Sequence, residues 1–219
     1  ISNNQLTGSI PPEIGNLNDL TELWLQYNQF TEIPPEIGNL TNLTKLDISN
    51  NQLTGSIPPE IGSLNNLAEL LLDFNQLTLI PSEMGALSNL RILSLNNNQL
   101  TGVPSEIGNL NNLEELLLDY NQLTLIPLEI GSLSNLTKLD LTSNPLTGTI
   151  PSEIGDLSNL TYLSFSGLEE GNDLTGPIPP EIWNLTNLTD LIFFNNDLTG
   201  SIPPEVGNLT NLTFLTLYG

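Results

Sequence analysis

The sequence predicts a curved, right-handed solenoid of the α/β or β/3-10 type, with a parallel β-sheet on its concave face and short helical turns on its convex face. Three observations support this prediction. One pattern recurs through all 219 residues with a period of 23 or 24 residues. Each copy holds an alternating apolar stretch typical of a short strand and a proline-led stretch typical of a helical turn. No copy can bury its own apolar edge, so neighbouring copies must stack.

Nine leucines mark the repeats of this single array, which we assign to residues 1–219. They are Leu20, Leu43, Leu67, Leu90, Leu113, Leu136, Leu160, Leu188 and Leu212. The repeat of residues 160–187 is four residues longer than its 24-residue neighbours and therefore contains an insertion. Because the chain opens and closes within a repeat, we expect the array to be truncated at both ends.

Each part of the pattern predicts a structural role. The LxLx stretch predicts a strand with its leucines inward, and the asparagine that follows predicts a turn whose buried backbone groups the amide satisfies. The proline of IPxEIG suits the first position of a helical turn, and the glutamate lies near the positive end of that turn. We expect the glycine to permit the exit turn.

The full pattern LxxLxLxxNxLTGxIPxEIGxLxN, seen from Leu43 to Asn66, resembles the plant-type subclass of the leucine-rich repeat family. Shorter copies such as FTEIPPEIG lack the LTG glycine and resemble repeats of bacterial proteins. The cysteine-paired caps typical of plant members are absent from the sequence. The resemblance implies a non-enzymatic recognition module that binds protein or peptide through variable positions of the concave sheet, as part of a larger extracellular or cell-surface protein.

A comb of apolar residues forms the first candidate ligand-binding surface. At the fifth and eighth positions of repeats one, three and five, counted from each marker leucine, the sequence places Trp24, Tyr27, Leu71, Phe74, Leu117 and Tyr120. Polar residues fill the same positions of the repeats between them, so apolar stripes recur roughly every 10 Å. Such a comb fits an extended polypeptide or a glycan chain, although each aromatic residue could also merely cover its own repeat.

Further candidate residues lie towards the C-terminal end of the array. Five apolar side chains are expected on the same sheet face, either for a ligand or for a following repeat: Tyr162, Ile192, Phe194, Phe214 and Tyr218. The insertion GLEEG predicts an acidic lip beside them, for a ligand or for calcium, unless it is a tolerated surface loop. Its residues are Glu169, Glu170, Asp173 and Asp197.

The three basic side chains are expected to compensate charge on the sheet. Lys45 and Lys138 share a strand position with neighbouring glutamates, and Arg91 has Glu114 as its equivalent in the next repeat. We expect each to face a carboxylate across the strands, with a gain of only ~0.2–1 kcal/mol per exposed pair.

The composition excludes several functions. A formal charge of −22 disfavours nucleic acid, and no apolar run is long enough for membrane insertion. Without histidine or cysteine, the usual catalytic triads and zinc sites are impossible, and carboxylate pairs alone carry no pocket signature, so we expect no enzyme and no cofactor. Calcium suits the charge but has no supporting motif.

Two alternatives to peptide recognition stay open. One is a glycan- or surface-binding adhesin segment, including ice binding through the recurring threonine that follows the xxNxL motif, as at Thr54 and Thr147. The other is a spacer without a ligand.

Overall fold

The computed structural model describes residues 3–167 and 172–218, and its architecture confirms the predicted solenoid. One strand from each repeat joins a nine-stranded parallel sheet, and neighbouring repeats supply neighbouring strands. In chain order these strands are β2 (Glu22–Trp24), β4 (Lys45–Asp47), β6 (Glu69–Leu71), β8 (Ile92–Ser94), β9 (Glu115–Leu117), β10 (Lys138–Asp140), β12 (Tyr162–Ser164), β14 (Asp190–Ile192) and β16 (Phe214–Thr216).

Short 3-10 helices line the opposite, convex side, one for each repeat of the part of the chain that the structure describes. No described helix combines the length and apolarity needed to cross a membrane. The helices are η1 (Pro12–Asn16), η2 (Pro35–Asn39), η3 (Pro59–Ser63), η4 (Ser82–Ala86), η5 (Ser105–Asn109), η6 (Leu128–Ser132), η7 (Ser152–Asp156), η8 (Pro180–Asn184) and η9 (Pro204–Asn208).

A discontinuous set of strands runs along one flank, between the sheet and the helices. We call it the lateral edge. Its strands pair as β1 (Thr7–Gly8) with β3 (Gln29–Phe30), β5 (Thr54–Ser56) with β7 (Gln76–Leu79), and β11 (Thr147–Gly148) with β13 (Asp173–Pro177) and β15 (Asp197–Thr199).

Two repeated features hold the stack together. The first leucine of the LxL stretch is fully buried in the inner repeats, as at Leu70 and Leu93. The turn asparagine is also buried: Asn75 Nδ2 donates to the carbonyls of Ile48 at 3.0 Å and Leu72 at 3.1 Å, and its Oδ1 accepts from the Leu53 amide at 3.0 Å. The asparagine therefore satisfies backbone groups of its own and the preceding repeat, as the pattern predicted.

The glycine of the IPxEIG stretch has a different role from the predicted one. Gly38 and its equivalents do not adopt a left-handed backbone, so they are not required by an exit turn. Instead, a Cβ on Gly38 would lie 2.5 Å from the carbonyl oxygen of Glu60, and one on Gly108 would lie 2.8 Å from that of Glu129. Adjacent helices pack so closely that a side chain does not fit between them.

The LTG glycine explains the difference between 23- and 24-residue repeats. In every LTGxIP copy this glycine has a positive φ: Gly8, Gly55, Gly148, Gly176 and Gly200. Gly102, in the shorter LTGVP copy, does not. At Gly55 the pairing of β5 with β7 also shifts register. The additional residue of the longer repeat is thus absorbed as a local irregularity in the lateral edge, where glycine accepts the required φ.

Candidate ligand-binding face

The strand register places equal repeat positions side by side on the concave face. Trp24 pairs with Asp47 and then Leu71, whereas Glu22 pairs with Lys45 and then Glu69. The same register continues to Phe214 and Thr216 in the last strand. Third- and fifth-position side chains therefore form two columns across the sheet, with neighbours about 4.8 Å apart.

The aromatic members of the predicted comb lie exposed on this face. Trp24 is 38% exposed, Tyr27 54%, Phe74 52% and Tyr120 44%. The two aliphatic members, Leu71 and Leu117, are half-buried in the same rows. The comb is therefore available to a partner, and its apolar rungs recur at every second repeat.

The three eighth-position aromatics adopt an unusual backbone. Tyr27 has a φ of 56°, and Phe74 and Tyr120 have a φ of 52°. The left-handed region disfavours bulky side chains, whereas asparagine tolerates it. Asparagine occupies the equivalent left-handed position in other repeats, as at Asn50 and Asn97. Repeats one, three and five thus hold exposed aromatic rings where the backbone geometry favours a small polar residue.

Two of the three basic residues form the expected ion pairs. Lys45 Nζ lies 2.5 Å from Glu69 Oε2, and its ammonium also lies 4.3 Å from the centre of the Trp24 ring. Arg91 makes a two-pronged contact with Glu114, with both nitrogen–oxygen distances 2.8 Å. The guanidinium is solvent-exposed, so this pair contributes little to stability.

Lys138 departs from the prediction. It is in register with Glu115, but no ion pair between them occurs among the described residues. Its ammonium instead lies 5.1 Å from the centre of the Tyr162 ring. The phenol face attracts the cation and draws the lysine towards repeat seven.

A seventh-position column, which the sequence analysis missed as a set, completes the face. It runs through Gln26, Ser49, Asp73, Asn96, Asp119, Thr142, Ser166, Phe194 and Tyr218. The alternation of side chains along a strand could have revealed it, because positions three, five and seven share one side. Two carboxylates, Asp73 and Asp119, belong to this column.

Asp73 is surrounded by hydrogen-bond donors. The Ser94 hydroxyl donates to its carboxylate through a very short bond, and the Asn96 backbone amide donates at 3.2 Å. Burial raises the pKa of Asp73 above its ordinary value, while these donors oppose the rise. The carboxylate has thus lost part of its contact with water, and hydrogen-bond donors of the protein replace that contact.

Asp119 occupies the equivalent position two repeats later without such donors. Its carboxylate is contacted by its own backbone amide, but no side-chain donor bonds to it among the described residues. Burial raises its pKa to about 7, and the nearby Asp140 carboxylate adds to the rise. Near neutral pH, Asp119 is therefore a half-buried acid with little compensation.

Asp140 is held by neighbouring donors. Its carboxylate accepts from the Thr142 amide at 3.0 Å and from the Tyr162 hydroxyl at 3.1 Å. Burial and the Asp140 charge raise the pKa of Tyr162, so the phenol keeps its proton and stays a donor. The Asp140 carboxylate is therefore held in place by two donors beside Asp119.

The C-terminal aromatics form a separate group. Phe194 and Tyr218 stack with their ring centres 5.2 Å apart, and Phe214 is 48% exposed. Tyr162 and Ile192 are half-buried in the preceding strands. The inward-facing residue Leu215 is itself 40% exposed because no strand covers β16 on its outer side.

The predicted acidic lip is only partly described. Glu169 and Glu170 lie outside the described residues. Asp173 and Asp197 are exposed and begin β13 and β15, which are neighbouring strands of the lateral edge. The carbonyl of Gly167, the first residue of GLEEG, accepts from Asn195 Nδ2 at 2.9 Å. The remaining residues of GLEEG lie outside the described residues.

The recurring threonine lies on the lateral edge, where backbone hydrogen bonds join Thr54 to Thr31 and Thr147 to Thr124. Strand pairing sets Gln29 across from Thr7 and Asp197 across from Thr175, rather than another threonine. Thr101 and Thr124 lie outside any strand. Strand pairing along this threonine row is therefore discontinuous among the described residues.

Two further carboxylates of the concave face are held by neighbouring groups. Asp47 accepts from both the amide and the hydroxyl of Ser49, at 3.0 and 2.7 Å, and Glu69 is paired with Lys45. Within residues 3–167 and 172–218, no group of three or more candidate ligands could hold a metal ion.

Comparisons with known proteins agree with this architecture. The sequence profile described as leucine-rich repeat region matches residues 3–116, 76–173 and 105–219. A search of curated protein sequences found no significant match. The chain is similar to a leucine-rich repeat protein of Leptospira interrogans, with 44% identity over 98% of this chain and 53% of that one, and a TM-score of 0.85.

Plant receptors are similar as well. A TDR receptor is 36% identical over 100% of this chain and 38% of its own, with a TM-score of 0.93. The Arabidopsis receptor kinase HAESA, solved with the peptide hormone IDA and the co-receptor SERK1, is 34% identical over 99% and 36%, with a TM-score of 0.89. The chain spans about half or less of each of these three proteins. It belongs to the leucine-rich repeat family.

Proposed function

We propose that this chain is a recognition module that binds an extended polypeptide segment along its concave face, in an extracellular or cell-surface setting. The observation that carries the proposal is the exposed aromatic comb of repeats one, three and five. Exposed apolar surface on a highly charged protein is typical of contact surfaces. Aromatic side chains supply much of the energy of protein interfaces.

The comparisons support the kind of partner and the setting. Several similar structures are plant receptors, and the HAESA structure contains a peptide hormone. The nine strands span about 38 Å, which an extended segment of about 12 residues would cover. We therefore expect a segment of that length, and we assign no catalytic reaction to the face.

The test exploits the strained backbone of the comb. Replacing Tyr27, Phe74 and Tyr120 together by asparagine removes the rings but keeps a side chain that already occupies this conformation at Asn50. The probe is a phage-displayed library of random 12-residue peptides, selected on the immobilised protein. We expect the wild-type chain to capture peptides and the triple variant to lose at least about 90% of the capture.

The matched control removes apolar surface elsewhere. Leu79 and Leu125 are 54% and 66% exposed outside the concave face, so Leu79→Asn with Leu125→Asn should leave capture unchanged. The triple variant should also melt no earlier than wild type, because the left-handed strain is relieved. Equal capture by wild type and the triple variant would refute the proposal, and binding to a glycan array without peptide capture would favour the adhesin alternative.

A further inference from the structure

Carboxylates occupy a repeating place between the aromatic rungs. The seventh position of each odd repeat lies beside the fifth position of the next repeat, as the contact of Asp73 with Ser94 shows. In repeats three and four this place holds one carboxylate. In repeats five and six it holds two, Asp119 and Asp140. The negative charge of the concave face is therefore greatest next to the third aromatic rung, Tyr120.

This charge is poorly compensated within the protein. Asp140 has its own donors, whereas Asp119 receives no side-chain donor among the described residues. Lys138, on the same strand as Asp140, has its ammonium 5.1 Å from the centre of the Tyr162 ring. Two adjacent carboxylates with one displaced lysine leave net negative charge in a partly desolvated place.

The surroundings suit an organic cation rather than a bare metal ion. Leu117 and Tyr120 provide apolar surface on one side, and the Tyr162 ring, which already holds the Lys138 ammonium, lies on the other. A guanidinium combines a flat face that stacks on aromatic rings with donors that match carboxylate oxygens. Within the described residues, no cluster has the three ligands that a metal site would need.

We propose that the segment bound along the concave face is cationic, with an arginine or lysine side chain seated between Asp119 and Asp140 beside the Tyr120 ring. This inference rests on the proposed function and specifies the chemistry of the partner. A segment in the polyproline II conformation advances about 3.1 Å per residue and presents every third side chain on the same side, so a two-repeat step of about 10 Å corresponds to three residues. The cation is then followed or preceded at three-residue intervals by apolar side chains on the rungs of Phe74 and Trp24.

The experiment compares peptide selection on two variants of equal charge. Asp119→Asn with Asp140→Asn removes the proposed seat. Glu83→Gln with Glu153→Gln removes two charges from the first turns of convex helices. Both are challenged at pH ~7.5 with the random 12-residue phage library. We expect arginine and lysine to be enriched among peptides captured by wild type and the convex variant, and that enrichment to disappear on the concave variant.

One selected basic peptide, synthesised with a fluorescent label, gives the quantitative readout. Its affinity should fall at least about tenfold for the concave variant and less than about twofold for the convex variant. An equal loss for both variants, or no enrichment of basic residues on wild type, would overturn the inference. If peptides without basic residues are captured through the aromatic comb, the proposed function stands and this inference fails.

Discussion

Repeats three and five are near copies, yet their concave carboxylates lie in different environments. The stretches ELLLDFNQLTLIP and ELLLDYNQLTLIP place Asp73 and Asp119 at the same position. The following repeat supplies Ser94 to the first and Asp140 to the second. Ser94 donates a hydrogen bond to Asp73, whereas Asp140 places a second negative charge beside Asp119. In a solenoid, the chemistry of a side chain is set by the neighbouring repeat as much as by its own.

Placing a second acid beside Asp73, as Asp140 lies beside Asp119, should have the largest effect on the free energy of unfolding. Ser94 is 4% exposed, so Ser94→Asp would bury a second carboxylate against Asp73 and remove its best donor. We expect the free energy of unfolding to fall by about 2–4 kcal/mol at pH ~8, measured by urea denaturation. Ser94→Ala, which only removes the donor, should cost about 1 kcal/mol. Equal losses for the two variants would contradict the comparison.

Replacing Asp119 or Asp73 by a neutral residue should change the free energy of unfolding by amounts that depend differently on pH. The pKa of Asp119 is raised from 3.8 to about 7 in the fold. Between those values the folded chain retains a proton that the unfolded chain has released, so the stability contributed by this group falls as pH rises through that window. Asp119→Asn should therefore add about 1–2 kcal/mol at pH ~8 and almost nothing at pH ~3.5.

Asp73→Asn provides the matched measurement. Burial raises the pKa of Asp73 as well, but Ser94 and Asn96 counter the rise, so its gain at pH ~8 should be smaller. Urea denaturation of both variants at the two pH values gives the comparison. A larger gain for Asp73→Asn than for Asp119→Asn would show that the donors do not distinguish the two sites.

Placing a serine beside Asp119, as Ser94 lies beside Asp73, should change the pKa of Asp119 directly. Asp140→Ser removes the neighbouring charge and introduces a hydroxyl in the place that Ser94 occupies two repeats earlier. We expect the pKa of Asp119 to drop below 7, as followed by NMR of its carboxyl carbon. Asp140→Ala removes the charge without supplying a donor and should lower that pKa by less.

The smallest expected effect concerns the hydrogen bond that the Tyr162 hydroxyl donates to Asp140. Tyr162→Phe deletes the 3.1 Å bond to that carboxylate and should lower the free energy of unfolding by about 0.5–1 kcal/mol. Tyr120→Phe, on an exposed ring, is the control and should change it by less than about 0.3 kcal/mol. Thermal denaturation at pH ~7 can distinguish the two variants. Identical melting temperatures would show that the hydrogen bond to Asp140 does not contribute to stability.

Much of the fold was predictable because one pattern sets every strand. The register that joins Glu22, Lys45 and Glu69 follows from equal spacing, and the structure reproduces it. Charge pairing was less predictable. Lys138 has two possible partners across adjacent strands, Glu115 and Tyr162, and the balance between an exposed ion pair and a cation–ring contact is too small to decide from spacing.

In the candidate site, too, some features could be predicted from the sequence and others could not. The exposed comb followed from residue type and period, whereas the left-handed backbone of Phe74 and Tyr120 did not, since aromatic residues seldom occupy it. The state of Asp119 depends on burial and on a residue in the next repeat, which a single repeat pattern does not contain. Alternation along the strands nevertheless contained enough information to identify the seventh column.

The convex glycines have a mechanical consequence for recognition. Because a Cβ on Gly131 would lie 2.5 Å from the carbonyl oxygen of Glu153, the helices are already at the limit of their approach. This contact limits how closely the helices from η1 to η8 can approach one another, and with them the distance between the rungs on the concave face. In repeat seven the equivalent residue is Trp183, whose ring is buried, so the limit does not extend to η9. The spacing of the proposed peptide-binding rungs is therefore limited by packing on the convex side of the protein.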